Sequence, residues 1–303
     1  MSTRPKVLLV PGIGSLVPGS LAPHAGRPPV RELLARLAAL PPGAAAAALL
    51  TGAVDRAAPP PDEVCAQLAG YAQAVAFCAM AGTWPVRAVR PERAVRTVLL
   101  GHSLGELAAF AAAGVLTFED GARLLLACLR LRAELGAPAG GLLVLRLPAA
   151  SAGLLLARAE LPGLVLACDN GPEQSVVGGP RPAVEALAAL ARADAVTCTL
   201  LPTRTLFHSP ELAPVARRVR ALAETVAFRA PRVPVHDPLS GRPYRSAAEF
   251  RDGVTHHLVH PVPFRRCVAL LRAAGVAEFA EAGPRALLSR LTAEQRDVAV
   301  RPG

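Results

Sequence analysis

A serine enclosed by two glycines is the group in this 303-residue chain best suited to covalent chemistry. The segment Gly101-His102-Ser103-Leu104-Gly105 has the GxSxG pattern, with a β-prone run before it and a helix-prone stretch after it. A sharp strand-to-helix turn of this kind is crowded and requires small residues two positions before and after the serine. The helix that follows offers unpaired backbone N–H groups beside the hydroxyl. The pattern therefore predicts a nucleophilic serine; a junction with a bystander serine is the alternative.

A nucleophilic serine requires a base. His208 follows the last strand of a predicted inserted unit, and His236 and His260 are alternatives with weaker patterns. We expect the turn to direct His102 elsewhere, as a packed residue. A Gly-Ile-Gly loop at 12–14 follows the first predicted strand and is the candidate for a second oxyanion donor, with a plain tight turn or a phosphate loop as the alternative. It lacks the third glycine of a dinucleotide fingerprint and the GK[ST] of a P-loop.

Hydrophobic periodicity around these motifs predicts an α/β protein. Before and after residues 140–201, the predicted strands are 6–10, 95–100, 232–235 and 276–279. The predicted helices there are 30–40, 63–82, 104–113, 118–135, 246–258 and 263–273. A proline-rich loop is expected near 59–61. Residues 140–201 have the order β-α-β-β-α-β of a ferredoxin-like unit. We expect an α/β-hydrolase-like large domain with a parallel sheet, formed by 1–137 and 204–303, and an inserted ferredoxin-like subdomain, 138–203.

Composition excludes several classes of protein. Hydrophobic residues make up 52% of the chain, yet no apolar run approaches the ~20 residues of a membrane span. The first apolar run is too short for a signal peptide, so we expect a cytoplasmic location. The six cysteines form no CxxC pair and the seven histidines show no metal-ligand spacing, so neither a metal site nor a disulfide framework is expected.

The net charge of +10 comes almost entirely from arginine. Such a surface suits acidic partners, such as phosphates or an acidic carrier protein, although codon bias in a GC-rich genome produces the same excess. Aromatic residues make up only 4% of the chain and no basic block is interleaved with them, so a nucleic-acid partner is not expected.

Seven segments spread along the chain resemble one family. They are PGIGS, GHSLGE with the following AAFAAAGVLTFEDGARLL, DNGPEQSVVGG, TLFHS, PVHDPLSGRPYRS, HPVPF and FAEAGPRALLSRL. They are similar to motifs of the malonyl-CoA:acyl carrier protein transacylase family, which includes acyltransferases of polyketide synthesis. The resemblance implies a two-step mechanism without a bound cofactor. An acyl group passes from coenzyme A or a carrier protein to the serine, and then to the phosphopantetheine thiol of a carrier protein.

The resemblance also assigns roles to residues. It implies that Ser103 is the nucleophile, that His208 is its base, and that a backbone carbonyl at His260 orients the base. The oxyanion donors would be the backbone N–H groups of Ile13 and Leu104. Further candidates for the substrate pocket are Phe207, Asn170, Gln73, Cys128 and Arg204, with a surface or carrier-protein contact as the alternative for Arg204.

Cys128 departs from the family pattern. Counted without gaps from Ser103, it occupies the position where members that use dicarboxylyl-CoA have an arginine for the free carboxylate of the substrate. A thiol cannot replace that arginine fork. Arg123, Arg130 and Arg132 lie on the same predicted helix at other angles, and Arg204 lies near His208. We therefore expect a neutral acyl group rather than malonyl.

Four functions remain open from the sequence. The expected one is a free-standing acyltransferase of polyketide or related biosynthesis that handles a non-malonyl group. The alternatives are an editing hydrolase of acyl carrier proteins, a malonyl transferase with a relocated arginine, and an inactive carrier-binding module. A lipase-like hydrolase would leave the ferredoxin-like insertion and the C-terminal motifs unexplained.

Overall fold

The computed structural model describes residues 5–53, 61–83, 97–137 and 139–295. Its eleven α-helices in those ranges are α1 Pro28–Ala38, α2 Gly43–Thr51, α3 Glu63–Met80, α4 Leu104–Ala112, α5 Phe118–Glu134, α6 Ala149–Ala159, α7 Arg181–Ala193, α8 Ala213–Ala223, α9 Ala247–Val259, α10 Phe264–Ala273 and α11 Leu287–Glu294. The eight strands in the same ranges are β1 Lys6–Val10, β2 Thr97–Gly101, β3 Gly140–Leu145, β4 Val165–Gly171, β5 Gln174–Pro180, β6 Cys198–Leu200, β7 Val235–His236 and β8 Glu278–Glu281.

Four of the strands form a parallel sheet in the order β7-β2-β1-β8. Strands β1 and β2 are in register from end to end, and Val10 pairs with Gly101 at their carboxyl ends. Because these ends meet at the same edge of the sheet, the loops that follow them lie side by side. Those loops are the glycine-rich segment 12–14 and the turn that carries Ser103.

The other four strands form an antiparallel sheet in the order β4-β5-β3-β6. With α6 and α7 in the connections, this is the arrangement of a ferredoxin-like unit, as the β-α-β-β-α-β order predicts. The predicted fold class, a parallel α/β domain with a ferredoxin-like subdomain, is confirmed. The sheet lies within residues 138–203, but the two predicted domain boundaries stay a prediction.

The antiparallel sheet is joined to the last third of the chain by backbone hydrogen bonds. Val262 N donates to Ala167 O at 2.9 Å, and Asp169 N donates to Val262 O at 3.0 Å. Strand β4 carries register shifts between Leu166 and Cys168 and between Asp169 and Gly171, which bend a strand locally. Asn170, near the end of this strand, contacts His102 of the serine turn at 2.8 Å.

Helix α4 connects the serine to the core. Every residue from Leu104 to Ala112 is buried, and the helix packs against α3, α5 and β2. Phe110 of α4 packs edge-on against two other aromatic rings. The distance between ring centroids is 5.3 Å to Tyr244 and 5.1 Å to Phe250. A helix buried on all sides cannot rotate without repacking, so it holds the serine turn in a fixed orientation.

Several elements of the structure differ from the prediction. Helices α2, α8 and α11 were not predicted. The proline-rich loop proposed near 59–61 lies mostly outside the described residues. The strand predicted at 232–235 starts only at Val235. The backbone N–H groups of Arg229 and Arg232 donate instead to Val115 and Ala113, just after α4, and the segment reaches the sheet at Pro234, whose oxygen accepts from Leu99 N at 2.9 Å. The final subdomain strand is shorter than the predicted 195–201.

Among the residues that the structure describes, none of the helices combines the length and hydrophobicity that crossing a bilayer requires.

Candidate active site

The serine turn is strained and tightly packed. Ser103 has φ 56° and ψ −126°, a region that residues with a side chain rarely occupy. A Cβ atom added to Gly101 would lie 2.2 Å from Glu106 Cα, and one added to Gly105 would lie 1.9 Å from Val10 O. Both glycines are thus required by close backbone approach. The strain is consistent with a turn built to expose one hydroxyl above the sheet.

Ser103 and His208 meet at this turn. Ser103 Oγ lies 3.0 Å from His208 Nε2, and the two residues are 7% and 2% exposed. His208 also has a positive φ, 59°. The next residue, Ser209, donates its N–H to Leu258 O at 3.0 Å and so ties the segment to the end of α9. The chain positions 103 and 208 therefore form one hydrogen-bonded pair.

Burial keeps the His208 ring neutral. Loss of solvent, followed by the nearby His257 and His102, lowers the pKa of His208 to about 3. Its Nδ1 makes no hydrogen bond of ordinary geometry to a described residue. The backbone groups of His257 and His260 nevertheless lie close enough to raise its pKa in part. The backbone of His260, predicted to orient the base, thus lies at the ring together with that of His257.

The loop after β1 lies directly against the serine turn. A Cβ atom added to Gly12 would lie 2.4 Å from His102 O and 3.2 Å from Leu104 N. Leu104 is the first residue of α4, so its N–H has no acceptor within the helix. Ile13 lines the same cavity as Ser103 and Leu104. The use of the backbone N–H groups of Ile13 and Leu104 as oxyanion donors stays a prediction.

An inner cavity of about 30 Å³ opens behind Ser103. Its lining is almost entirely apolar and comprises Ile13, Gln67, Ser103, Leu104, Leu107, Leu124, Leu125, Cys128, Leu129, Phe207, Val219, Val254, His257 and Leu258. Cys128 and Phe207, both predicted pocket residues, are in this wall, and among the described residues that line it none is an arginine or a lysine. Burial raises the pKa of the Cys128 thiol to about 12, so this side chain is an apolar wall group at neutral pH.

A larger outer cavity of about 400 Å³ leads to the same hydroxyl from between the two sheets. Ser103 and His208 lie at its inner end, and the subdomain supplies Leu142 and Val176. Arginines contribute to its lining at positions 146, 285 and 290. Arg146 is already paired with Glu173 at 2.8 Å. The serine therefore stands between a small apolar cavity and a wider channel with cationic groups.

The structure places the remaining predicted residues at different distances from this centre. Asn170 lines the outer cavity, where its Oδ1 lies 2.8 Å from His102 Nε2. Arg204 is exposed and lines neither cavity wall; among the described residues, Gly140 N donates to its backbone oxygen and no hydrogen bond involves its side chain. Asn170 is thus brought to the site, and Arg204 is not.

Gln73 is also absent from both cavity linings. Its Oε1 accepts from Val17 N and Ser20 Oγ, each at 2.9 Å, and its Nε2 donates to Ser15 O at 3.0 Å. All of its hydrogen bonds in the described chain therefore brace the loop after β1. In this structure Gln73 holds that loop, and its predicted contact with substrate stays a prediction.

Sequence reasoning missed three polar residues near the inner cavity. Gln67 lies in its wall, and His257 lies opposite with Nδ1 3.5 Å from Glu106 Oε2. Glu106 is 2% exposed, its pKa is raised by burial, and it also accepts a hydrogen bond from Tyr244. The final Glu of GHSLGE carried a signal, because a buried carboxylate on a small-residue helix requires a partner. Gln67 and His257 carried no signal that a single sequence could reveal.

Across the described ranges, no group of three or more His, Cys, Asp or Glu side chains is arranged to hold a metal ion. The six cysteines are unpaired, and five of them are buried.

The model of the acyl transferase domain family matches residues 74–299 of the chain. The malonyl-CoA:acyl carrier protein transacylase of Xanthomonas oryzae pv. oryzae superimposes with a TM-score of 0.79 at 28% identity, covering 98% of this chain and 93% of that one. A loading acyltransferase from the avermectin modular polyketide synthase superimposes at 0.76 with 25% identity, covering 96% and 90%.

Two curated relatives are much longer proteins. Mycoketide-CoA synthase of Mycobacterium tuberculosis is 35% identical over 78% of this chain, which spans 5% of that protein. Polyketide synthase GfsA of Streptomyces halstedii is 35% identical over 65% of this chain, which spans 3% of it. The resemblance read from the seven motifs is confirmed: the chain belongs to the acyl transferase domain family.

Proposed function

We propose that this protein transfers a neutral acyl group through Ser103 to the phosphopantetheine thiol of an acyl carrier protein, in polyketide or related biosynthesis. The observation that carries the proposal is the 3.0 Å pair of Ser103 Oγ and His208 Nε2 at the mouth of an apolar cavity. The family and its polyketide synthase relatives supply the reaction class. The lining of the cavity supplies the restriction to neutral acyl groups.

In the first step, the neutral His208 ring takes the Ser103 proton as Oγ attacks the thioester carbonyl. The N–H groups of Ile13 and Leu104 stabilise the oxyanion of the tetrahedral intermediate. The carbon–sulfur bond then breaks, and His208 returns the proton to the leaving thiolate. In the second step His208 takes the proton of the carrier thiol, and the sulfur attacks the carbonyl carbon of the seryl ester. The bond from that carbon to Ser103 Oγ then breaks, and His208 gives the proton to Oγ.

The outer cavity fits the thioester arm. Coenzyme A and the phosphopantetheine of a carrier protein are flexible chains that bear phosphate, and this channel has arginines at 146, 285 and 290. A net charge of +10 favours an acidic carrier protein as the partner. The transacylase of one structural neighbour, superimposed at a TM-score of 0.81 and 24% identity, was solved in complex with its acyl carrier protein.

A relocated arginine is the second candidate, because one arginine lies close to the cavity wall. Arg132 Cζ lies 6.0 Å from the centroid of the Phe207 ring, and its Nε is buried without a hydrogen-bond partner in the described chain. To reach a malonyl carboxylate, Arg132 would have to displace Phe207 from the wall. If it does so, malonyl-CoA acylates the wild-type enzyme, and Arg132→Met removes that activity but leaves butanoyl transfer intact.

Intact-protein mass spectrometry tests the proposal. The enzyme is mixed with a panel of neutral acyl-CoA thioesters and then with a holo carrier protein. The expected result is an acyl mass on the enzyme that moves to the carrier and is absent in Ser103→Ala. An adduct that leaves as free acid, with the carrier unloaded, would support the editing hydrolase. The absence of an adduct with every donor would support the carrier-binding module.

A further inference from the structure

Gln67 is a polar exception in the apolar wall of the inner cavity. It lies on α3, is 5% exposed, and shares the cavity lining with leucines of α4 and α5. A buried amide is stable only where its donor and acceptor groups find partners. Its presence in a wall of Leu107, Leu124 and Leu129 therefore requires an explanation in terms of what the cavity binds.

The hydrogen bonds around Gln67 define which end of the amide is free. Its Nε2 donates to Glu63 Oε1 at 3.2 Å. The same carboxylate oxygen accepts from the Thr203 hydroxyl at 2.7 Å and from the Thr205 hydroxyl. Because a carboxylate only accepts, the NH₂ end of the amide must face Glu63. The carbonyl end, Oε1, is buried and accepts no hydrogen bond from any described residue.

A buried oxygen without a donor is costly, and a ligand that supplies the donor removes that cost. None of the described residues that line the cavity is a lysine or an arginine, so a carboxylate on the ligand has no counterion among them. A hydroxyl group combines an O–H donor with electrical neutrality. These conditions select an acyl chain that is neutral but carries a hydroxyl.

We propose that Gln67 determines specificity by accepting a hydrogen bond from a hydroxyl group on the acyl chain held at Ser103. The inference rests on the proposed function, since it concerns the acyl group in that reaction. Gln67 makes no contact with the Ser103–His208 pair and takes no part in the acyl-transfer steps themselves. Its effect is on which acyl group is accepted.

The test compares butanoyl- and hexanoyl-CoA with their hydroxylated counterparts, one hydroxyl at C3 or at the terminal carbon. Acylation rates of Ser103 are measured by intact mass for the wild type and for Gln67→Leu. For at least one hydroxyl position, the wild type should prefer the hydroxylated donor by about fivefold, because one neutral hydrogen bond contributes about that factor. In Gln67→Leu the ratio should fall to one or reverse.

Two further variants serve as controls for this comparison. Leu129→Met changes the same wall without altering its polarity and should leave the ratio unchanged. If Gln67→Leu fails to fold, as shown by its melting curve, Gln67→Met replaces it as a flexible side chain of similar length. Equal ratios in the wild type and the Gln67 variant, or a wild-type preference for the plain alkyl donors, would overturn the inference.

The inference and the proposed function can fail separately. Transfer of plain and hydroxylated groups at equal rates contradicts only the inference. If no thioester acylates Ser103, the proposed function fails, and the Ser103→Ala enzyme is titrated with the same CoA pairs. Tighter binding of a hydroxylated thioester that is lost on adding Gln67→Leu would then still support the contact, and equal binding would refute it.

Discussion

Replacing Gly12 with alanine should disable acylation while leaving the fold intact. The new methyl group would lie 2.4 Å from His102 O and 3.1 Å from Ser103 Cβ. Ordinary contact begins near 3.4 Å, so the two loops must separate by about 1 Å. That displacement moves the Ile13 N–H away from the Leu104 N–H, which together are expected to hold the oxyanion. Loss of one such donor lowers kcat by about 10²–10³, and a 1 Å misplacement alone costs about 10².

The assay is the rate of Ser103 acylation by butanoyl-CoA, measured by intact mass in quenched time courses. Gly26→Ala is the matched control, because a Cβ atom there meets no atom within 4 Å. The control should acylate at the wild-type rate. Both variants should melt cooperatively. A folded Gly12→Ala enzyme that acylates within threefold of the wild type would refute the assignment of this loop to the oxyanion site.

The remaining predictions concern the inner cavity and the base. Cys128→Arg should raise the malonyl-to-butanoyl ratio of acylation rates by about 10²–10³, because leaving the malonyl carboxylate buried and unpaired costs about 3–5 kcal/mol. The ratio is measured with both CoA thioesters, and an unchanged ratio would contradict the neutral-group assignment. Because the pKa of His208 is lowered to about 3, the acylation rate should stay level from pH 8 to pH 5 in a pH–rate profile, without the fall near 6.5 of an ordinary histidine. Below pH 6.5 the His208 position binds a proton in the unfolded chain but not in the folded one. The free energy of unfolding should therefore decrease as the pH is lowered, by up to about 1.4 kcal/mol per pH unit more than in His208→Gln. Equal slopes for the two proteins in denaturant titrations would contradict the buried neutral ring. Asn170→Ala, which removes the 2.8 Å bond to His102, should cost about 1 kcal/mol in the same titrations.

The serine turn was predictable because its constraints are local. The glycines two positions before and after Ser103 are fixed by backbone crowding, and that crowding appears in the sequence as GxSxG. The alternation of strands and helices between 140 and 201 likewise gave the ferredoxin-like unit, because each element has its own hydrophobic period. Both signals are contained in short windows of residues.

The surroundings of Gln73 and Gln67 depend on long-range contacts, which the pattern of a single sequence does not reveal. Gln73 was expected in the pocket, yet its partners are Val17, Ser20 and Ser15, more than 50 positions away along the chain. The orphan oxygen of Gln67 becomes visible only once Thr203 and Thr205 are seen to share Glu63 with it. Periodicity marks α3 as a helix but does not indicate which of its many buried positions borders a cavity.

The central claim is that Ser103 accepts a neutral acyl group in preference to a dicarboxylyl one. A direct measurement is a competition in which the wild-type enzyme is offered equal concentrations of malonyl-CoA and butanoyl-CoA, quenched early, and analysed by peptide mass spectrometry. The butanoyl mass should dominate on the peptide that contains Ser103, and Ser103→Ala should carry neither mass. A malonyl mass on Ser103 at equal or greater abundance would contradict the preference for a neutral acyl group.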